Sequence, residues 1–359
     1  YIKVLISKQD VSVMSLTILT ENFILTLLLP VKVYFSLRIE KKGEFMKSVV
    51  FMGTPDFAVP ALQALIDSPD YDVKLVISQP DKPQGRKQVL TAPPVKQLAL
   101  RYDIETYQPA TLKSDDAFEK IASFSPDFII VSAYGKILPE RILNIPVYGC
   151  VNLHGSLLPK YRGAAPIQWS VINGDKKTGV TTMLMDAGLD TGDILLISEK
   201  IISEEETAGE VFDALAALCP ELLIRTMKGL EDGSVIPVKQ NEEEATYVSV
   251  LSKDMSVINW NDSAKNIHDL IRGTDPWPVA RTFYNGKILK IYTSKVSDGA
   301  FSGVAGEVRV DGGKIYVTCG EGTCLCLGDI QLEGSKRMSS EDFLRGRSFP
   351  KGYIFSEEG

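Results

Sequence analysis

Two short stretches hold the side chains whose types and spacing could do chemistry. The first, Tyr148 to Gly163, reads YGCVNLHGSLLPKYRG. Cys150 to Leu153 has the character of a strand end, so Asn152 and His154, two positions apart, fall on one face, and Gly155 opens the loop that follows. An amide and an imidazole side by side at the mouth of an α/β sheet can polarise a carbonyl and manage a proton. A single histidine is more often structural. This one is one of only two in the chain, His154 and His268, and it stands beside Asn in a loop bounded by Gly and Pro. The second stretch, Asp186 to Leu196, reads DAGLDTGDILL and sets Asp186, Asp190 and Asp193 among glycines. A Ca²⁺ loop of EF-hand type is the rival reading, but its ligand spacing and closing Glu are absent. A carboxylate from this stretch could instead orient and charge His154.

Strands must carry these residues to a common edge. Ser48 to Gly53, Asp72 to Ser78 and Asp127 to Ala133 are short apolar, β-branched runs, with Glu105 to Tyr107 a short extended piece and Val180 to Met185 a further strand. Helical patterns at Asp56 to Ile66, Val95 to Arg101 and Asp115 to Phe124 alternate with them. That alternation predicts right-handed βαβ units: an α/β, Rossmann-like, mostly parallel sheet with helices on both faces and its site beyond the carboxyl ends of the strands. The first strand-to-helix loop has one glycine, Gly53 in G-T-P-D, so a dinucleotide site has no support. Thr207 to Leu230 predicts a helix that Pro220 must kink or divide. Residues 231–250 look like a linker, its core at 236–250, with an acidic run at Glu242 to Glu244.

After residue 251 the pattern changes. A helical piece, Ser263 to Arg272, precedes five strand-like runs: Ala280 to Tyr284, Lys287 to Thr293, Gly306 to Val310, Lys314 to Cys319 and Thr323 to Leu332. Asn285-Gly286 and Asp311-Gly312 are expected as hairpin turns. The prediction for 251–359 is a small OB-like β-barrel domain, following a catalytic domain at 46–235.

Charge limits the partners. The 359 residues carry a net charge of −7, with 44% hydrophobic and 24% charged residues. That excludes a protein held to nucleic acid by electrostatics alone, since each phosphate contact needs Lys or Arg. Residues 46–250 hold 19 Lys and Arg against 28 Asp and Glu, whereas 251–359 hold 14 of each. The C-terminal part is the less repulsive half for a polyanion. The five cysteines have no C-x-x-C spacing and few histidines near them, so small buried hydrophobes in a reducing cytosol are expected rather than a metal site.

Residues 1–45 carry apolar residues without helical or strand order. Their longest oily piece, Phe23 to Pro30, is far shorter than the roughly 20 residues of a membrane span. Lys41-Lys42-Gly43-Glu44-Phe45 can be encoded by AAAAAAGGAGAATTT, which places a purine-rich AAGGAG just before the Met46 codon, as in a bacterial ribosome-binding site. Residues 1–45 are therefore expected to be non-native upstream translation without regular structure.

The blocks GTPDFAVPAL, QPDKPQGRK, SAYGKILP, VNLHGSLLPKYRGAAPIQW and MDAGLDTGDIL together resemble the methionyl-tRNA formyltransferase family, from Met46 to about the end, in order and spacing. The resemblance implies a catalytic Asn152, His154 and Asp190, and folate contacts at Ser156, Leu157, Leu158 and Pro159. It implies 10-formyltetrahydrofolate as co-substrate, no metal, and methionyl-initiator-tRNA as acceptor. In the mechanism it implies, an amine attacks the formyl carbon, Asn152 donates to the oxyanion, and His154, held by Asp190, shuttles the proton.

Related transformylases act on glycinamide ribonucleotide or on amino-sugar nucleotides, and a folate- or RNA-binding protein without catalysis is a further alternative. Glycinamide ribonucleotide enzymes resemble only the first domain, which would leave the barrel surplus. The long loop from Asp81 to Lys96 gathers Lys82, Arg86 and Lys87, which the resemblance directs to the acceptor stem. An OB-type barrel is a common RNA platform. A cytoplasmic monomer with no DNA or membrane partner is the expectation. Mapping the N-terminal peptide of the native protein should place the translation start at Met46; a native peptide from upstream of Met46 would refute it.

Overall fold

The computed structural model describes the backbone of residues 3–10, 13–20, 23–30, 46–85, 88–297 and 303–355, and side chains from residue 46 onward, Gln84 excepted. Residues 1–45 and 46–359 form separate units. In the first, Lys3–Asp10, Val13–Thr20 and Phe23–Pro30 pair as a three-stranded antiparallel meander. Regular structure was not expected there. The runs are rich in Val, Ile, Leu and Thr, which suit extended backbone.

The second unit begins with the expected α/β layer. Strands β1 (Lys47–Gly53), β2 (Tyr71–Ile77), β3 (Glu105–Tyr107), β4 (Phe128–Ser132), β5 (Cys150–His154), β6 (Lys177–Leu184) and β7 (Asp193–Ile201) form one seven-stranded sheet in the order 7-6-5-4-1-2-3. The first five strands are parallel. β6 runs antiparallel to β5 and to β7. The chain leaves β1 toward β2 and β3, then returns to β4 on its other side. The carboxyl ends of β1 and β4 thus flank the crevice where such sheets bind ligands. Helices α1 (Val59–Asp67), α2 (Pro94–Arg101), α3 (Asp115–Ala122), α4 (Pro166–Ile172) and α5 (Ala208–Asp232) surround it.

Alternation divides the core. Val49, Phe51, Phe128, Ile130, Val151 and Leu153 join the apolar cluster that includes α1 and α5. Val50, Met52, Ile129, Val131 and Cys150 join the cluster on the other face, with residues of α3. On β5 the odd residues face the first cluster, and Cys150, Asn152 and His154 share the opposite side.

Of the two outcomes expected at Pro220, division does not occur, and one further strand appears. α5 runs 25 residues through Pro220 as one helix, because its buried face of Val211, Leu215, Leu222 and Leu223 outweighs one missing backbone donor. It starts from a capping box in which Thr207 accepts from Glu210 N–H and Glu210 accepts from Thr207 N–H. β7 was not expected, and it forms the edge of the sheet.

The remainder is a small antiparallel β domain behind helix α6 (Ala264–Gly273). Strands β8 (Arg281–Tyr284), β9 (Lys287–Ile291), β10 (Ser294–Ser297), β11 (Val308–Asp311), β12 (Lys314–Thr318), β13 (Cys324–Leu327), β14 (Asp329–Leu332) and the short β15 (Met338–Ser339) build two four-stranded sheets rather than five long strands. The run read as one strand, Thr323 to Leu332, changes sheet at Gly328, where a Cβ would lie 2.3 Å from Thr293 Oγ1. The first hairpin turns at Asn285-Gly286 as expected, and the second at Gly312-Gly313, with φ of +55° and +77°. All five cysteines are free.

α6 fastens this domain to the first. His268 bridges Ser294 Oγ at 3.0 Å and the Glu204 carbonyl at 2.9 Å. Arg272 donates to Asp269 at 2.8 Å and to the Glu206 carbonyl at 3.0 Å.

The centre of the sheet should be the most sensitive place for stability. Phe128 is fully buried, stacked on Tyr148 with ring centroids 4.7 Å apart and edge-on to Tyr71 at 6.2 Å. Phe128→Ala should destabilise by about 3–5 kcal/mol, measured as a lower urea midpoint at unchanged m-value.

Candidate active site

The structure brings the two chemical stretches together at the carboxyl edge of the sheet. β5 ends at His154, with Asn152 paired across to Val131 of β4 and Met183 of β6. Asn152 and His154 are both buried. Among the described residues the Asn152 carboxamide has no hydrogen-bond partner in the protein, so a donor at the sheet edge remains available to a ligand. His154 Nε2 lies 2.9 Å from the Tyr161 carbonyl oxygen. That oxygen can only accept, so Nε2 carries the hydrogen and, in the neutral ring, Nδ1 holds the lone pair. Nδ1 faces the Asp190 carboxylate, with Oδ2 3.7 Å away.

This corrects one expectation. The imidazole is held by the Tyr161 carbonyl, and the carboxylate lies beyond hydrogen-bond distance. Asp190 is itself held from the other loop, by the Gly163 N–H at 2.8 Å. Asp190 adopts φ of +53°, a left-handed conformation that Asp tolerates better than most side chains. Asp186 serves the turn instead: its Oδ1 accepts from Gly188 N–H at 3.0 Å and Thr191 Oγ1–H at 2.7 Å. Asp193 stands in β7.

The loop from Gly155 to Gly163 is anchored at several points. Ser156 is fully buried; its hydroxyl donates to the Lys160 carbonyl at 2.6 Å, and its own carbonyl accepts from Thr181 Oγ1 at 2.7 Å. Leu158 is buried with its N–H on Thr181 Oγ1 at 3.2 Å, and the Leu158–Pro159 peptide is cis. Leu157 and Pro159 are half-buried. Tyr161 Oη donates to Asp175 at 2.8 Å, and burial pushes its phenol up to about 12.

Sequence reasoning missed Arg162. It is fully buried, with Nη1 and Nη2 on the two Glu242 oxygens at 2.8 and 2.7 Å and Nη1 also on Tyr247 Oη at 2.8 Å. The hydrogen bonds from Arg162 hold the Glu242 carboxyl below the usual carboxylate range. The available signal was a charge opposite a charge: Arg162 in K-Y-R-G, and the acidic run at Glu242 that had been read as linker.

Lys82 lies exposed on a two-stranded ribbon, Lys82–Gln84 with Val89–Thr91, where an irregular loop had been expected. Lys96 pins its base, donating to Asp81 at 2.9 Å and to Gln108 at 2.7 Å. Arg86 and Lys87 lie outside the described residues. Among the described residues no cluster of His, Cys, Asp and Glu could hold a metal ion.

Comparison with known proteins identifies the family. The formyl transferase family matches residues 46–227, and the formyl transferase C-terminal domain family matches 250–348. A methionyl-tRNA formyltransferase from Acetivibrio thermocellus is 45% identical over 313 residues, 86% of this chain and 99% of its own length. One from Clostridium botulinum is 49% identical over the same shares. The chain belongs to the methionyl-tRNA formyltransferase family. Among solved structures, a sugar 3N-formyltransferase aligns at TM-score 0.59 and 19% identity, covering 82% of this chain and all of that one. An N-formyltransferase from Helicobacter canadensis aligns at 0.58 and 17%, covering 79% and 99%. These two share the fold.

In this formyltransferase the three side chains should separate by role. Asn152→Ala removes the free donor and should lower kcat about 10²–10³-fold. His154→Ala and Asp190→Asn should lower it about 10²–10⁴-fold. Asn is chosen at 190 because it tolerates the left-handed backbone. Steady-state rates on folded variants check this, and a near-wild-type rate removes that residue from its role.

Proposed function

We propose that Asn152, His154 and Asp190 carry the transfer of a formyl group from 10-formyltetrahydrofolate to the amino group of methionyl-initiator-tRNA, the reaction of this family. The observation that carries the assignment is the pairing of a free Asn152 carboxamide with an imidazole whose Nδ1 lies 3.7 Å from a carboxylate. The folate supplies a formyl carbon that is already electrophilic. Asn152 donates to the formyl oxygen as that oxygen gains negative charge. His154 takes the proton from the amine at Nδ1, because Nε2 is committed to Tyr161, and returns it to the departing nitrogen. Asp190 opposes the positive charge that the ring then carries.

The residues present suit a folate. The loop from Ser156 to Pro159 would hold it through the half-buried Leu157 and Pro159, since Ser156 and Leu158 are turned inward with their polar groups engaged. Lys82 on the ribbon, with Arg86 and Lys87 of the same sequence stretch, would meet acceptor-stem phosphates, supplying locally the positive charge that the chain lacks as a whole. Residues 46–235 are the catalytic domain, 236–250 the linker and 251–359 the RNA-binding domain. The working unit is a monomer in the cytoplasm. No helix among the described residues is long and apolar enough to cross a membrane.

An amino-sugar nucleotide is the competing acceptor, because solved sugar formyltransferases share the fold. Identity of 45–49% to methionyl-tRNA formyltransferases over nearly their full length favours tRNA over sugar enzymes at 17–20%. Incubating the chain with 10-formyltetrahydrofolate and either charged initiator tRNA or a dTDP-amino sugar should give formylmethionyl-tRNA and no formylated sugar. The opposite product would overturn the assignment.

A further inference from the structure

Gln240 lies in the segment whose sequence suggests a solvated linker, yet it is only 9% exposed. Its carboxamide is engaged at both ends. Oε1 accepts from Arg162 Nε–H at 3.0 Å, and Nε2 donates to the carbonyl oxygens of Asp190 at 2.8 Å and Gly192 at 2.7 Å. These three bonds tie the linker to both loops of the site. Arg162 stands between Tyr161, whose carbonyl fixes His154, and Gly163, whose N–H holds Asp190.

The Asp190 loop needs such a tie. Asp190 has φ of +53°, and a left-handed non-glycine residue persists where its surroundings over-determine it. Gly192 allows the chain to pass Leu184 closely: a Cβ there would lie 1.9 Å from the Leu184 carbonyl oxygen. Between these two residues the carbonyls turn inward, and an inward carbonyl without a donor is unfavourable. Gln240 supplies donors to both.

We propose that Gln240 is a positioning residue for formyl transfer. By donating to the carbonyls of Asp190 and Gly192 it fixes the Asp190 carboxylate relative to the His154 ring, which makes the interdomain linker part of the catalytic apparatus. The proposal rests on the reading of Asp190 given above. The requirement is specific. Two carbonyls that only accept and a guanidinium that only donates call for one acceptor and one doubly donating nitrogen at the reach of Gln. Met fills the space with neither, and ionised Glu keeps the acceptor and loses the donors.

The test is a double-mutant cycle in the full chain. Gln240→Met should lower kcat about 10- to 100-fold, the size expected for a small displacement of a reacting group. KM for 10-formyltetrahydrofolate should stay within about 2-fold. In an Asp190→Asn background the same substitution should cost no more than about 2-fold, because no carboxylate remains to be positioned. Gln240→Glu serves as the second variant should Met disturb folding, and it should lose activity in the same coupled way. Losses that multiply with Asp190→Asn, a loss confined to KM, or wild-type activity of both variants would overturn the role of Gln240. Full activity of Asp190→Asn alone would instead remove the reading of the carboxylate.

Discussion

The site depends on one backbone hydrogen bond, from the Gly163 N–H to the Asp190 carboxylate. It joins the loop that leaves β5 directly to the loop that enters β7. Only glycine serves at 163. Its φ is +103°, and a Cβ there would lie 2.5 Å from the Val248 carbonyl oxygen. The same loop presents the Tyr161 carbonyl to His154 two residues earlier. A single turn of chain therefore sets both the tautomer of the imidazole and the position of the carboxylate opposite it. The linker strand at Tyr247–Val248 pairs in parallel with Arg162–Gly163 and holds that turn from outside.

Much of this was legible in the sequence where local pattern and tertiary environment agree. β4, flanked by other strands, reads as an unbroken β-branched run, and its bounds moved by one residue at each end. Asn152 and His154 were placed on one face because the alternation along β5 is dictated by the two core clusters it separates. Asp190 could not be chosen over Asp186 and Asp193 from spacing alone. All three sit in the same glycine-rich stretch, and what distinguishes them is a hydrogen bond to a residue 27 positions away. The resemblance selected it.

The misses have physical causes as well. β7 hides in DILLISEKI because an edge strand alternates Ile197, Glu199 and Ile201 on its exposed side, which masks the apolar signal. Gly328 divides one β-like run between two sheets, and periodicity within the run carries no trace of a corner. Arg162 and Gln240 were unreadable for a deeper reason. A buried charge or amide is tolerated when its partner is supplied, and here the partners lie 78 and 80 positions apart. A linker defined by its acidity and lack of hydrophobic periodicity looked solvated, whereas Glu242 faces a guanidinium with no exposure of its own.

That arrangement bears on how one chain handles two very different substrates. A folate must be admitted at the sheet edge, and an RNA acceptor must reach the same carbon from outside. A net charge of −7 gives the RNA no general attraction, so its approach has to be directed by local groups. The β domain is fixed rather than tethered. α6 packs on α4 closely enough that a Cβ on Gly273 would lie 2.4 Å from Ile172 Cγ1, and buried polar bonds from His268 and Arg272 add direction to the contact. A rigid seat for the β domain reduces the freedom that any binding through it must remove. The linker between the two is then not a spacer: the stretch that carries the chain from one domain to the other passes Gln240, Glu242 and Tyr247 against the loops that hold Arg162 and Asp190. The geometry around His154 and Asp190 and the placement of the β domain thus share one segment of backbone, and a disturbance in either is expected to be felt in the other through Arg162.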